Sequence, residues 1–448
     1  MTARPGRHPP DPDGRPIGSG KNDEGQSTTV EMSRKLGTFP DSSPSRHACP
    51  ARFCSRAPLE PLVSFADRPL WLVGFRPFFS LACLAGLSLP LIWALMFSGV
   101  LPAPDGPFSM IQWHAHEMFF GFGWAVLGGF LLTATKNWVS VRGHHGRALV
   151  FLAAAWLLER LGMVLAGSLP TWLFLLSNQL FLVSIVLMLL HTLIRHRAQD
   201  SYRDNYFFLL VLPAFIVAKI LLLMPATFSI GTGIALGLFR MAFLVMFERT
   251  LTQFMKGVFQ VAILRHPVLD TAIKGLGLVL VLQPLLPPLA GGVLALLLAL
   301  LLAGRLAFWK PLLGLSRLDI GVMYLGYLAI VLQLLLEFLQ QVAPVAWVGS
   351  VSVHVFTFGA MGLVIPGMLI RISKGHTGRK VVFEPLDKLA LWFMILGFTL
   401  RLVGPQALPG WYGHWIHLAA LCWAACFGLL GWRLIPFLLA PRVDGKEH

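Results

Sequence analysis

Trp113-His-Ala-His-Glu-Met118 begins an apolar stretch that continues to about residue 135. A stretch of this length can cross a lipid bilayer as one helix. The hexapeptide places two imidazoles, a carboxylate and a thioether where that helix would enter the membrane. Ionisable groups at such a depth are costly, and they usually face a cavity or a partner. The segment therefore indicates both the fold, a membrane-spanning helix, and the position of a functional site.

Similar stretches recur on both sides of this segment. The chain has 448 residues, of which 56% are hydrophobic and 13% charged, as is typical of a polytopic membrane protein. We predict an all-α fold of about twelve transmembrane helices, over residues 75–99, 113–135, 148–167, 171–194, 205–225, 230–248, 271–288, 290–308, 319–341, 347–370, 386–404 and 412–437. Prolines at 284, 287 and 288 leave two readings of the stretch 271–308: two short spans, or one span and a re-entrant segment.

Charge in the loops predicts the topology. Lys and Arg occur in alternate loops, whereas the loops near 100–112, 168–170, 226–229, 285–289, 342–346 and 405–411 have none. This positive-inside pattern places both termini in the cytoplasm. It also explains the net charge of +15 without a nucleic-acid partner. Residues 1–67 are rich in Pro, Gly and Ser, and we expect a disordered cytoplasmic tail there, then a transmembrane domain over 68–441 and a short tail over 442–448.

Charged residues within the predicted spans gather in the outer half of the bundle. The carboxylates are Glu117 and Glu337, and the cations are Arg160, Lys219, Arg240 and Arg401. Two carboxylates cannot neutralise four cations, and haem propionates or another anion would fit the surplus. The alternative is that the long cationic side chains extend to the membrane surface.

Helix geometry divides the hexapeptide into two faces. His114 and His116 lie about 200° apart around a regular helix, so they should not bind one ion together. His116 begins a His-x3-Phe-Gly pattern ending at Gly121, and His354 begins the same pattern ending at Gly359. Two imidazoles at similar depth on different helices could hold a haem iron from opposite sides. Small residues such as Gly121 would admit either a neighbouring helix or a flat macrocycle.

The other face of the hexapeptide predicts a softer metal site. His114 shares it with residues three and four positions later, Glu117 and Met118. Imidazole together with thioether favours copper.

At these residues the chain resembles the NnrS family of bacterial membrane proteins. The resemblance rests on four segments: Arg76-Pro-Phe-Phe79; the hexapeptide continuing to Asn137-Trp138; His354 through Arg371 to Gly375-His-Thr-Gly-Arg379; and Pro441-Arg-Val-Asp-Gly445. It implies an inner-membrane protein that contains haem and copper and is linked to denitrification and nitric oxide tolerance. It does not supply a reaction.

From the residues and the resemblance together, we expect two sets of site residues. Those expected to contact a cofactor are His116, His354, Arg240, Arg160, Gly121 and Gly359. Those expected to bind metal are His114, His116, Glu117, Met118, His354 and His376. His376 lies in a predicted cytoplasmic loop, where it could bind a second metal or a partner, or belong to a helix-terminus turn.

Three functions compete at this point. The first is a haem protein that binds or detoxifies nitric oxide, with the lipid bilayer as its surroundings. The second is a secondary transporter, although no repeat relates helices 1–6 to helices 7–12. The third is a cytochrome-like redox enzyme, for which the sequence shows no site for an electron donor. Protein partners are not indicated.

Overall fold

The computed structural model describes residues 64–446. Twelve long helices form most of this part of the chain, and no strand occurs in it. In chain order they are α1 (Phe75–Phe97), α2 (Met110–Trp138), α3 (Arg147–Val164), α4 (Thr171–Arg195), α5 (Asn205–Leu223), α6 (Pro225–Phe259), α7 (Pro267–Leu285), α8 (Pro288–Phe308), α9 (Leu318–Val342), α10 (Val351–His376), α11 (Pro385–Ala407) and α12 (Pro409–Leu439). Short helical segments lie at Phe65–Asp67, Pro69–Trp71, Arg197–Gln199 and Pro311–Leu315.

The structure confirms the all-α prediction, and each predicted apolar stretch coincides with one long helix. Among the described residues, ten helices are long and apolar enough to cross a membrane, whereas α3 and α11 are outside this set. The eighteen residues of α3 include Arg147, Glu159 and Arg160, which lower its apolar character. The count of twelve spans and the position of the termini stay predictions, as does the tail over 1–67, of which residues 1–63 lie outside the described part.

Local sequence signals explain several helix ends. Ser109 accepts a hydrogen bond from the Gln112 backbone N–H, and the Gln112 side chain accepts one from the Ser109 N–H, so α2 begins with a capping box. Proline is the first residue of α7, α8 and α11, where its missing N–H has no helical partner to lose. The prolines between α7 and α8 therefore separate two helices of 19 and 21 residues.

The helix α6 is longer than its apolar stretch, which covers only residues 230–248. It continues to Phe259, and its polar end is held by Glu248, which forms ion pairs with Arg265 and Lys274. Hydropathy indicates which residues can face lipid, whereas helix length also depends on such polar contacts. The hydropathy pattern therefore places the end of this helix near residue 248, too early in the chain.

Three central helices, α2, α6 and α10, form the core of the bundle. In their apolar windows, 78%, 72% and 83% of residues are buried, the largest shares among the ten candidate spans. Each lies four helices after the previous one in chain order. If the twelve helices are divided into three consecutive groups of four, each of these three is the second helix of its group. The helix α12 packs against α1 and α11, which brings the end of the described chain back to its beginning.

Two of the central helices contain π-helical segments. One covers Glu117–Gly123 in α2, and the other covers Val355–Gly362 in α10. They follow directly after His116 and His354, so the repeated His-x3-Phe-Gly pattern corresponds to a repeated helical distortion. Segments of this kind are rare, and they occur frequently at functional sites.

The C-terminal segment returns to the loop after α10. The Val443 N–H donates to the Thr377 carbonyl (3.1 Å), and Arg442 donates to the His376 carbonyl (3.0 Å). Arg442 also donates to Asp444, and this hydrogen bond lowers the pKa of the Asp444 carboxyl to about 2. Gly378 in this loop has a φ of +80°, a conformation that favours glycine.

A pair of glycine substitutions tests the close packing of α5 on α6. A Cβ on Gly231 would fall on the backbone of Leu222, whereas nothing lies within 4 Å of the corresponding position at Gly304. We expect Gly231→Ala to destabilise the protein by about 1–3 kcal/mol, because backbone cannot move aside as a side chain can. The control Gly304→Ala should leave stability unchanged or raise it, since alanine favours helix. Thermal unfolding in detergent measures both, and equal behaviour of the two variants would contradict this packing.

Candidate functional site

Polar side chains near the start of α2 form two separate groups. The first, which we call the buried ion cluster, consists of His116, Glu117, Glu159, Arg160, Asn178 and Lys219. The second lines a cavity on another face of α2. The two groups differ in how far the protein itself pairs their charges.

His116 lies at the centre of the buried ion cluster and is fully buried. Its Nδ1 lies 3.1 Å from a carboxylate oxygen of Glu117, and its Nε2 lies 3.2 Å from one of Glu159. The Asn178 amide nitrogen is 3.1 Å from the same Nε2. Both ring nitrogens are therefore engaged by protein groups, and neither is presented to a cavity.

Glu159, on α3, links α2 and α5 within the cluster. One of its oxygens, Oε1, lies 2.7 Å from Arg160 Nη2 and 2.5 Å from Lys219 Nζ. Arg160 also pairs with Glu117, with 3.0 Å from Nε to Oε2. Lys219 further donates to the Asn178 carbonyl. Two carboxylates thus face two cations, so the charges of the acidic and basic side chains around His116 cancel.

The second group lines a cavity of about 230 Å³, which we call the outer cavity. It lies between α2 and α10 and is closed by residues of α1, α6, α11 and α12. Most of its wall is apolar or aromatic. Its lining side chains with metal-binding or charged atoms are His114, Met118, His354, Met361 and Arg401.

The two histidines of the outer cavity are held by different contacts. His114 stacks on Trp93, with ring centroids 4.2 Å apart and planes at 21°. His354 has its Nδ1 2.8 Å from the Ser350 carbonyl, a contact that requires Nδ1 to carry the proton. The Nε2 of His354 then has its lone pair available, as a metal-ligating histidine requires.

Arg401 supplies an unbalanced positive charge. Its side chain is 9% exposed, and it contacts Tyr412 through a hydrogen bond of 3.4 Å to the hydroxyl. No carboxylate pairs with it among the residues that the structure describes. Its charge acts on both His114 and His354. The buried guanidinium could therefore donate hydrogen bonds to an anionic group in the outer cavity and balance its charge.

Arg240 lies in a neighbouring, more polar cavity of about 860 Å³. It donates to Gln333 Oε1 (2.9 Å) and pairs with Glu337 (3.3 Å). This polar cavity and the outer cavity share four lining residues, Phe228, Thr232, Ser350 and Val353. The two spaces therefore adjoin.

His376 lies at the other end of the bundle. It lines a third space of about 700 Å³, which we call the inner cavity, together with Arg249 and Arg371. Its ring is 5.5 Å from that of Phe75. It shares no lining with His114 or His354, so the predicted metal residues do not form one site.

The structure exchanges the roles expected of the two hexapeptide histidines. We expected His116 to face His354, with His114 grouped with Glu117 and Met118. Instead His114 and Met118 share the outer cavity with His354, and His116 and Glu117 belong to the ion cluster. The sharing of one face by His114 and Met118 is as expected. The prediction of what each face of α2 contacts was wrong, because those contacts depend on which helices surround α2.

The two motif glycines also lie away from the outer cavity. A Cβ on Gly121 would lie 2.7 Å from Arg160 Nη1, so this glycine leaves room for the ion cluster. A Cβ on Gly359 would lie 2.7 Å from the Phe398 ring and 2.8 Å from Ala329. Both glycines therefore permit protein packing, and neither of them nor Arg160 lines the space expected to hold a cofactor.

Glu159 is the main residue that sequence reasoning missed. It lies next to Arg160 in a predicted span, and this adjacency of opposite charges was the available signal. With Glu159 counted, the expected surplus of two positive charges becomes one, and that one is Arg401. Glu117 pairs with Arg160, and Glu337 pairs with Arg240. Within residues 64–446, no group of three or more His, Cys, Asp and Glu side chains is arranged to hold a metal ion.

Comparison with known proteins identifies the family. The family model described as "NnrS protein" matches residues 69–442. No curated protein matches the chain significantly. The match covers well over half of the sequence, so the chain belongs to the NnrS family, as its motifs indicated.

Charge neutralisation within the ion cluster can be tested by mutation. Glu159→Gln should destabilise the protein by about 3–5 kcal/mol, because Lys219 is then left as a buried cation with no carboxylate. The double variant Glu159→Gln/Lys219→Met should recover part of the loss. The comparison is made by thermal unfolding in detergent, with exposed Lys256→Met as a control for loss of one positive charge. If the losses of stability in the two single variants simply add up in the double variant, the two residues do not interact.

Proposed function

We propose that this member of the NnrS family is a haem- and copper-binding protein of the bacterial inner membrane that acts in the nitric oxide response. In this proposal it binds or detoxifies nitric oxide, or protects against nitrosative stress. The alternating charge of the loops supports twelve spans with both termini in the cytoplasm. The site would then lie in the periplasmic half of the membrane.

The observation that carries the proposal is the pairing of His114 and His354 in one cavity. They come from the two central helices with π-helical segments, at similar depth. His114 and His354 would hold a haem iron between them, since two imidazoles suffice as its protein ligands even where no larger metal-binding group exists among the described residues. The haem would supply an iron at which a small diatomic ligand could bind in place of one of the two imidazoles.

Other features of the outer cavity fit a haem. Phe119, Phe122 and Trp423 give it an aromatic wall suited to a flat apolar ring. Arg401 offers a buried positive charge for a propionate. The volume of about 230 Å³ is below the usual range for ligand pockets, but the adjoining polar cavity adds about 860 Å³. A macrocycle would need both of these adjoining spaces.

Copper is the second metal of the proposal. The thioethers of Met118 and Met361 line the same cavity as the two imidazoles. Thioether ligands favour copper over the harder metals, and they are the ligands that the cavity offers beyond the two imidazoles assigned to the haem. His116, Glu117 and Arg160 have a positioning role here, since they fix the part of α2 from which His114 and Met118 project.

The chemistry of the outer cavity also suits nitric oxide. Nitric oxide is small and uncharged, and such a molecule enters an apolar space without the cost of desolvating a charge. The acidic and basic groups of the ion cluster are kept out of this space.

A secondary transporter remains the alternative, and the polar cavity is the observation that favours it. Arg240 and Glu337 lie there as ionisable groups within the bundle. Transporters of this size commonly consist of two related halves. The three central helices are instead spaced by four, which fits three groups of four helices better than two groups of six.

Visible spectra test the haem assignment. We expect protein produced with ample haem to show a Soret band that shifts on addition of nitric oxide. His354→Ala and His114→Ala should each remove the haem or change its spin state, with a fall in bound iron of at least severalfold. His417→Ala, which changes a histidine of α12 outside the outer cavity, is the matched control.

Different outcomes separate the parts of this proposal. Absence of a Soret band in all preparations would contradict haem binding and favour the transporter. A spectrum lost in His376→Ala but kept in both outer-cavity variants would move the haem to the inner cavity. Copper retained in Met118→Leu and Met361→Leu would exclude the thioether ligands.

A further inference from the structure

The inner cavity has the features of a ligand site that the proposed function does not use. It encloses about 700 Å³, within the range of pockets that bind organic molecules. It lies at the end of the bundle where α2 and α10 finish, opposite the outer cavity. Two guanidinium groups, Arg249 and Arg371, and the imidazole of His376 line it. Among its described lining residues there is no Asp or Glu.

Arg371 provides the strongest sign that a ligand is bound there. Its side chain is only 9% exposed, and its Nε is buried without a hydrogen-bond partner. Its Nη2 donates to Asp319 (2.8 Å), but the same carboxylate also pairs with Arg317 (3.1 Å). One carboxylate therefore serves two arginines, and positive charge remains at the cavity wall.

A further cation strengthens this positive field. Lys136, at the end of α2, acts electrostatically on His376 and has no carboxylate partner among the described residues. Arg371 itself is held between the rings of Phe254 (4.5 Å) and Phe383 (5.2 Å), so its position is fixed. A preorganised guanidinium favours oxyanions such as carboxylate and phosphate.

The rest of the wall is suited to the apolar part of such a ligand. Trp138, Tyr202 and Phe208 line one side, and Arg249 stacks over the first two, at 5.0 and 4.3 Å. Asn137 and Gln253 add amides that can accept or donate hydrogen bonds. The cavity thus combines a cationic side with an aromatic side.

We propose that the inner cavity binds an amphiphilic oxyanion, a phosphate or carboxylate attached to an apolar body. Two sources share this chemistry. One is an anionic phospholipid that enters from the membrane, since the cavity lies at the predicted headgroup level. The other is a soluble organic phosphate that enters from the cytoplasmic side. The inference concerns residues separate from His114 and His354, so it does not depend on the haem assignment.

Binding to the full-length protein in detergent tests the proposal. The two probes are dioleoylphosphatidylglycerol, with dioleoylphosphatidylcholine as its neutral counterpart, and 1-naphthyl phosphate, with naphthalene methanol as its counterpart. Native mass spectrometry follows the lipids, and quenching of tryptophan fluorescence follows the naphthyl compounds. We expect one anionic probe to bind at least tenfold more tightly than its neutral counterpart, which identifies the source.

Three variants locate the site. Arg371→Gln should weaken the anionic probe about tenfold or more, because the buried guanidinium is lost while Asp319 keeps Arg317 as its partner. Arg317→Gln is the matched control: it removes the same charge from the same carboxylate, but its side chain is 53% exposed and does not line the cavity. Ala134→Phe fills part of the cavity and leaves every charge in place, and it should also weaken binding.

The results distinguish a cavity site from a surface effect. Equal weakening by Arg317→Gln and Arg371→Gln would overturn the proposal, because the effect would then follow surface charge alone. Equal affinity for the anionic and neutral probes would overturn it as well. If Arg371→Gln does not fold, the test is made with Ala134→Phe. Unchanged binding of the anionic probe to folded Ala134→Phe would overturn the proposal that the probe binds in the cavity.

Discussion

The contacts of the Glu159 carboxylate determine how the helices beside the outer cavity are assembled. A carboxylate away from water must be neutralised, and Glu159 Oε1 lies against Arg160, Lys219 and His116. These contacts connect α3, the least apolar of the early helices, to α2 and α5. They also fix the residue that precedes the π-helical segment of α2. The direction in which His114 and Met118 face the outer cavity follows from this arrangement.

The repeated His-x3-Phe-Gly pattern shows how one sequence feature can have two outcomes. In both α2 and α10 the histidine precedes a π-helical segment, and both helices are the second in a group of four. In α10 the histidine lines the outer cavity, whereas in α2 the equivalent residue, His116, is enclosed by Glu117 and Glu159. The cavity histidine of α2 is the one that lies two positions earlier. The local backbone is thus repeated, but the surroundings decide which imidazole is left available.

Much of the fold could be predicted from hydropathy, since apolar stretches of about twenty residues have few alternatives in a membrane protein. The site was harder to predict for two reasons. Helix periodicity gives the angle between His114 and His116, but it does not say which neighbour each one faces. Pairing of charges across helices also depends on packing, which is why Glu159 was overlooked as a partner of Lys219. The family motifs identified α2 and α10, the helices that line the outer cavity, but they did not identify which side chains face it.

Charge accounting therefore locates candidate sites better than motif matching does in this chain. The ion cluster contains more ionisable side chains than the outer cavity, but its two carboxylates pair with its two cations, and both nitrogens of its histidine contact protein groups. In the outer cavity Arg401 has no carboxylate partner among the described residues, and in the inner cavity Arg371 must share Asp319 with Arg317. A buried cation that the protein does not neutralise carries a desolvation cost, and a bound anion removes it. By this criterion a bound anion would be stabilised more at the two ends of the central helices than in the charge-rich cluster beside them.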